Sequence, residues 1–366
     1  MLSPEAARIK ASCTRFLSHH RPSSLAPRQV LQDLLAWAPP ELGRDEYGEG
    51  EVITDFEREV AALLGKEAAV FMPSGTMAQQ IAVRIWADRR ASRHIGFHPT
   101  CHLELHEKQG YQLLHGLHGV LIGRRTELMT PQEVRDVPHR LGALLVELPQ
   151  REIGGQLPAW EELIELRNWA TETSTPLHLD GARLWETKPF YQRDYATIAG
   201  LFDSVYVSFY KILGGIAGCV LAGPKDFIAE ARVWQRRHGG NLVSLYPYVL
   251  AAKAGMAARL DRMELYRAKA LEIASALDGT AGISVVPRQP HANLMHVFLP
   301  GNRAGLEKAA LDVASESGVW LFGALVPTDV PRVARFEVTV GDAGLELAGE
   351  EVATLLRDVV ERAAKT

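Results

Sequence analysis

Three stretches of this 366-residue chain put a chemically useful side chain where a β-type run gives way to a turn. In "SVYVSFYK" (204–211) an apolar run ends on Lys211, and "ILGGIAG" follows at once. In "LHLDGAR" (177–183) Asp180 closes a run whose other residues read as interior, with Arg183 three positions on. In "MPSGTMAQQ" (72–80) Ser74, Gly75 and Thr76 lie between a β-type run and an amphipathic helical pattern. A buried ammonium is too costly to keep without a partner or a use. A strand-end lysine that reaches back to solvent is the plain alternative for Lys211. A buried carboxylate at 180 wants a permanent cation, which Arg183 or a protonated heterocyclic nitrogen could supply. Backbone N–H groups at a helix start, helped by hydroxyls, would make "PSGT" a phosphate cradle, although an ordinary Ser/Thr N-cap explains the same residues.

"PSGT" has neither GxGxxG nor the P-loop Gly-Lys-Ser/Thr, which disfavours a dinucleotide or a nucleoside triphosphate. In chain order, a phosphate cradle, a buried aspartate and a strand-end lysine fit pyridoxal phosphate. The lysine would hold the aldehyde as a Schiff base, and the aspartate would keep the ring nitrogen protonated as an electron sink. Between them, "HPTCHLELHE" (98–107) carries His98, Cys101, His102 and His106. The four-residue spacing of His102 and His106 puts both near one helix face, where a metal could be ligated. Structural histidines, or His102 stacked on a cofactor ring, are the other readings, and no metal is assigned. The HExxH pattern fails, because "HEKQG" has Gly110 where the second histidine should be.

The elements that must position these residues alternate. Helical spacing marks "DFEREVAALLG" (55–65), "TMAQQIAVRIWADRR" (76–90), "PQEVRDVPHRL" (131–141), "AWEELIELRNWATET" (159–173) and "FIAEARVWQRRHG" (227–239). Strand patterns lie at "AAVFMPSG" (68–75), "HIGFH" (94–98), "GALLVELP" (142–149), "PLHLDGA" (176–182), "SVYVSFY" (204–210) and "GCVLAG" (218–223). Strands alternating with long helices predict an α/β domain with a mainly parallel sheet, whose ligands collect at the carboxyl ends of the strands. Beyond about 250, long helices lead to "LMHVFLP" (294–300), "RFEVTV" (335–340) and a closing amphipathic helix, a smaller α+β pattern. The predicted division is an N-terminal arm (1–45), a large α/β domain (46–250) and a small C-terminal domain (251–366).

Composition sets the limits. Hydrophobic residues make up 47%, charged residues 23%, and the net charge is −4, ordinary for a soluble globular protein and unfavourable for a nucleic-acid or anionic-membrane partner. No apolar run approaches the ~18 residues a membrane helix needs, and the first residues show no signal-peptide pattern. Cys13, Cys101 and Cys219 are widely spaced with no CxxC, which suits a reducing, cytoplasmic setting.

On "DEYGEGEVITDFE", "LLGKEAAVFMPSGTMAQ", "CHLELHEKQG", "LHLDGARLWE", "YKILGGIAGCVLAG" and "RFEVTVGD", the chain resembles the L-threonine aldolase and β-eliminating lyase family over roughly 45–345. The resemblance implies the fold-type-I architecture of pyridoxal-phosphate enzymes, with a seven-stranded, mainly parallel sheet in the large domain. It also implies roles. Ser74, Gly75 and Thr76 would hold the phosphate, His102 would stack on the pyridine face, and Glu107 would support His102 or the ring hydroxyl. Asp180 would meet the ring nitrogen, Arg183 the 3-hydroxyl or the substrate carboxylate, and Lys211 the aldehyde. Ser208 joins the cofactor-binding set, and Arg236 would reach the phosphate of a neighbouring subunit, unless it is simply a surface arginine. Arg335 would clamp the substrate carboxylate.

Three departures bear on substrate. The family's N-terminal Ser-Asp-Thr segment is replaced by "FLSHHRPSS", with Ser18 as a substitute for carboxylate binding. "ELPQREIGGQLP" stands where aldolases have "EN-THN-GG", and Val243 stands where a second arginine is expected. The resemblance therefore implies a lyase that cleaves the Cα–Cβ bond of a β-hydroxy-α-amino acid to glycine and an aldehyde, with His102, His139 or a water as the base. It also implies a homodimer or homotetramer with shared active sites. β-Elimination, transamination and a catalytically silent pyridoxal-phosphate protein use the same cofactor residues and stay open.

Overall fold

A computed structural model of the chain describes residues 3–280 and 282–365. These residues cluster into two compact units. The larger comprises Leu31–Ile153 and Leu157–Asp261; the smaller comprises the described residues up to Val30, Gly154–Gln156 and the described residues from Arg262 on. The N-terminal segment thus groups with the C-terminal part of the chain, and the passage between units falls after Asp261.

The larger unit is built on a seven-stranded sheet. Its strands are β1 (Ala68–Met72), β2 (His94–Phe97), β3 (His118–Leu121), β4 (Ala143–Glu147), β5 (Leu177–Gly181), β6 (Ser204–Ser208) and β7 (Cys219–Gly223). Their order across the sheet is β1-β7-β6-β5-β4-β2-β3, and every pairing is parallel except the two made by β7. β4, β5, β6 and β7 are buried at every position, as near-continuous apolar runs in a sheet covered on both faces should be. β3 escaped the sequence reading because "HGVL" is a short edge strand, solvent-facing at both ends.

The helix Gly75–Arg90 packs Ala78, Ile81, Ala82, Ile85 and Trp86 against the sheet, and Trp86 stacks on Phe227 at 4.7 Å between ring centroids. The helix Glu51–Leu63 begins four residues before the predicted start and buries Ile53, Phe56 and Val60. The helix expected over 131–141 ends at Arg135, because Pro138 disfavours helical backbone in the residue before it and cannot donate to the ladder.

The smaller unit holds a four-stranded antiparallel sheet. Its strands are β8 (Ser284–Val286), β9 (Leu294–Pro300), β10 (Val326–Pro327) and β11 (Val333–Thr339), in the order β10-β11-β9-β8. The helices Met263–Leu277, Arg303–Ser317 and Gly349–Ala364 share its core, which includes Ile273, Met295, Val297, Leu306, Phe336, Val338 and Leu356. The long helices read beyond about 250 are Tyr246–Arg259 and Met263–Leu277, joined by a tight turn at Leu260–Arg262.

Candidate active site

β1, β2, β4, β5 and β6 end at one edge of the large sheet, and the chain leaves each of them there carrying a residue of the candidate site. This is the edge at which open α/β sheets bind ligands.

Asp180 is buried in β5, and its Oδ1 accepts from the Ala182 N–H at 3.1 Å. No ion pair between Asp180 and Arg183 forms among the described residues, so the simple arginine partnership is not realised. Ser208, last in β6, donates its hydroxyl to the Ala182 carbonyl at 2.8 Å, and its own carbonyl accepts from the Trp185 indole at 2.8 Å. Ser208 therefore braces the turn that follows Asp180.

Lys211 follows β6 by three residues and is partly buried. Its amine is lowered to about 8, first by burial and then by the Arg183 charge, against the opposing pull of Asp180, Glu147 and Glu186. Such a lysine is a far better nucleophile near neutrality than an exposed one. The Tyr210 ring centroid lies 5.9 Å from its Nζ.

Ser74 occupies the N-cap of the helix Gly75–Arg90 in extended backbone, yet its side chain makes no capping hydrogen bond. The ordinary N-cap reading of "PSGT" thus fails, and the hydroxyl is not spent on the helix. A Cβ on Gly75 would stand 2.1 Å from the Tyr206 hydroxyl, so only glycine lets the helix start approach β6 this closely. Thr76, beside it, is exposed.

His102 opens a short helix (His102–Leu105) after β2. Its Nδ1 lies 3.1 Å from Glu107 Oε1, and Glu107 Oε2 accepts from the Gln80 amide at 3.0 Å. The bond to Glu107 raises the imidazole above the ordinary histidine range, against partial burial. The other two imidazoles of this segment are held elsewhere. His98 bridges Thr100 Oγ1 and the Glu127 carbonyl at 2.9 and 2.7 Å, and His106 meets Glu152 at 3.0 Å.

His139 does not belong to this edge. It is exposed and stacks at 4.7 Å on His94, the first residue of β2, at the opposite end of the parallel strands. Arg236 is exposed on the last turn of the helix Lys225–Arg237. In the smaller unit, Arg335 lies on β11 and donates to His296 Nδ1 at 2.8 Å, while the Ser18 hydroxyl donates to the His20 carbonyl at 2.8 Å.

One residue absent from the sequence reading stands at the centre. Glu147 ends β4 level with Asp180 in the parallel register, and its carboxyl is pushed up to about 7, by burial and then by the Asp180 charge. The signal was the same one that marked Asp180, an acid closing an apolar run.

The sheet order, with its single antiparallel strand, and the site at the strand ends define a fold-type-I enzyme. The beta-eliminating lyase family matches residues 35–299, and the chain belongs to it. A protein of Listeria monocytogenes EGD-E assigned as an L-allo-threonine aldolase superposes with a TM-score of 0.92 at 42% identity, over 98% of this chain and 99% of its own. An Exiguobacterium sp. 255-15 protein assigned as an aromatic amino acid beta-eliminating lyase/threonine aldolase gives 0.92 at 41%, over 97% and 99%. Low-specificity L-threonine aldolase 1 of Arabidopsis thaliana is 26% identical over 292 residues, 77% of this chain and 81% of its own length. The chain is an enzyme of this pyridoxal-phosphate-dependent lyase family. No helix among its described residues is long and apolar enough to cross a membrane.

Proposed function

We propose that this enzyme cleaves the Cα–Cβ bond of a β-hydroxy-α-amino acid, releasing glycine and an aldehyde, with pyridoxal phosphate as cofactor. The observation that carries the reading is the convergence of Lys211, Asp180 and the Ser74–Gly75 helix start at one sheet edge.

The donor set fits the cofactor. Gly75 lets the helix start lie directly against Tyr206 of β6, Ser74 keeps a hydroxyl not spent on capping, and Asp180 is a buried carboxylate suited to a protonated ring nitrogen. Ser74, Gly75 and Thr76 would hold the phosphate, Asp180 the ring nitrogen, His102 the ring face, and Lys211 the aldehyde carbon. When bound, the group supplies an electron sink for charge developing at the substrate Cα.

Lys211 contributes an amine whose pKa is lowered to about 8, and it would hold the aldehyde carbon of the bound group. His102, held by Glu107, would take the β-hydroxyl proton, directly or through a water. Arg183 and Arg335 would receive the substrate carboxylate, with Ser18 in support. A neighbouring subunit would complete the site through Arg236, in a homodimer or homotetramer. The likeness to the Listeria and Arabidopsis proteins supports aldol cleavage over elimination.

The test is to load purified protein with pyridoxal phosphate, reduce it with borohydride and map the adduct. A stable adduct on Lys211 supports the reading; one that persists in Lys211→Ala removes Lys211 from its role.

A further inference from the structure

Glu147 gathers three donors from two segments of the chain. Its Oε2 accepts from the His102 main-chain N–H at 3.2 Å and from the Gln150 amide at 3.3 Å, and its Oε1 accepts from the Arg151 N–H at 3.3 Å. The short helix that His102 opens has no side-chain cap of its own, so Glu147 satisfies one of its first N–H groups from the neighbouring strand. His102 is thus clamped twice, at the main chain by Glu147 and at the ring by Glu107.

We propose that Glu147 is a positioning residue that fixes His102 in the site and, through its register pairing with Asp180, makes that placement depend on pH. The proposal deepens the reading above and rests on it for what His102 does there.

The physical argument starts from two buried carboxyl groups at the ends of adjacent strands. Burial, and then the nearby Asp180 charge, disfavour ionisation of Glu147, which keeps its proton up to about 7. The charged and titratable groups around Glu147 come from several elements. They are Asp180 on β5, Arg183 after it, Lys211 after β6, and the Cys101 thiol and His102 after β2. Behind Glu147 a cavity of about 20 Å³, shared with His98 and Gln150, has room for about one water. An ionised Glu147 accepts all three N–H groups; a protonated one must turn an O–H toward one of its donors and loosen that bond. His102 is held most firmly once Glu147 has lost its proton.

The test uses the cofactor-free protein, so that its result is separate from the fate of the functional reading. His102 Hε1 is followed by NMR against pH in wild type, Glu147→Gln and Glu147→Ala, with circular dichroism as the check on folding. In wild type, the His102 signal should report two ionisations, its own and that of the carboxyl pair. Glu147→Ala should bring the His102 titration back toward the ordinary range, because the ring loses its alignment with Glu107. Glu147→Gln keeps one acceptor and the side-chain shape, and it should remove the second ionisation. Affinity for pyridoxal phosphate should fall about tenfold or more in Glu147→Ala, the loss of one or more charge-assisted hydrogen bonds. An unchanged two-step titration in folded Glu147→Gln overturns the proposal, and that variant decides the matter even if Glu147→Ala does not fold. Failure of wild type to take up pyridoxal phosphate would overturn the functional reading and leave the His102 result standing.

Discussion

The Tyr206 hydroxyl occupies the space a Cβ on Gly75 would need, 2.1 Å from the ideal Cβ position. Tyr206 belongs to β6 and is fully enclosed, so it cannot simply swing away. Gly75→Ala should therefore push the helix start off the sheet. We expect a loss of about 1–3 kcal/mol in stability, the usual cost of overpacking a close-packed site. Pyridoxal phosphate should also be retained less well. Denaturant unfolding and dialysis against buffer measure the two effects, and a variant with wild-type stability and cofactor retention would show that the approach carries no weight.

His102 and Glu107 give a pH dependence with a definite sign. The folded imidazole has its pKa raised by the Glu107 bond, so it binds its proton more tightly than in the unfolded chain. The stabilisation is fully present below the unfolded value of about 6.5 and is lost as pH rises through the raised folded value. His102 is partly exposed, so the effect is a modest one. Glu107→Gln should lower the His102 pKa and flatten this part of the stability profile. An identical His102 titration in the variant would contradict the assignment.

How far the sequence carried this account can be argued from particular residues. Lys211 and Asp180 were legible because each is a lone charge closing an apolar run, and a parallel sheet turns such positions into one edge. Glu147 obeys the same rule, but the acid opens "ELPQREIGGQLP", a stretch that departs from the aldolase pattern just after it. Tyr206 was invisible as a partner of Gly75, since contact between a strand interior and a distant helix start depends on strand order. β3 was illegible for a different reason: an edge strand open to solvent needs neither an apolar run nor strict alternation. His139 entered by residue type alone, and the sheet direction removes it.

Asp180→Asn keeps the shape and removes the charge. With the ring nitrogen no longer held protonated, turnover should fall by at least about 100-fold, the scale of losing a preorganised electrostatic contact. The thermal midpoint should change far less than the rate. Near-normal turnover would leave Asp180 as a structural carboxylate that accepts from the Ala182 N–H and nothing more.

The proposed carboxylate clamp at Arg335 would use a guanidinium fork, which lysine's single ammonium cannot reproduce. Arg335→Lys should weaken amino-acid binding by ~1.5–3 kcal/mol, about 10- to 150-fold, with pyridoxal phosphate retention unchanged. With the N-terminal Ser-Asp-Thr segment replaced, threonine should be a poorer substrate than a β-hydroxy amino acid with a bulkier side chain. Spectroscopic titration with both amino acids checks the two statements; normal affinity in the variant would sink the first, and efficient threonine cleavage without preference the second.

The most direct measurement of the central claim is product identification after the cofactor-loaded enzyme has acted on a panel of β-hydroxy-α-amino acids. The account predicts equimolar aldehyde and glycine, with neither product formed by Lys211→Ala. A keto acid with ammonia would assign elimination instead, and no product from any member of the panel would contradict the proposed activity altogether.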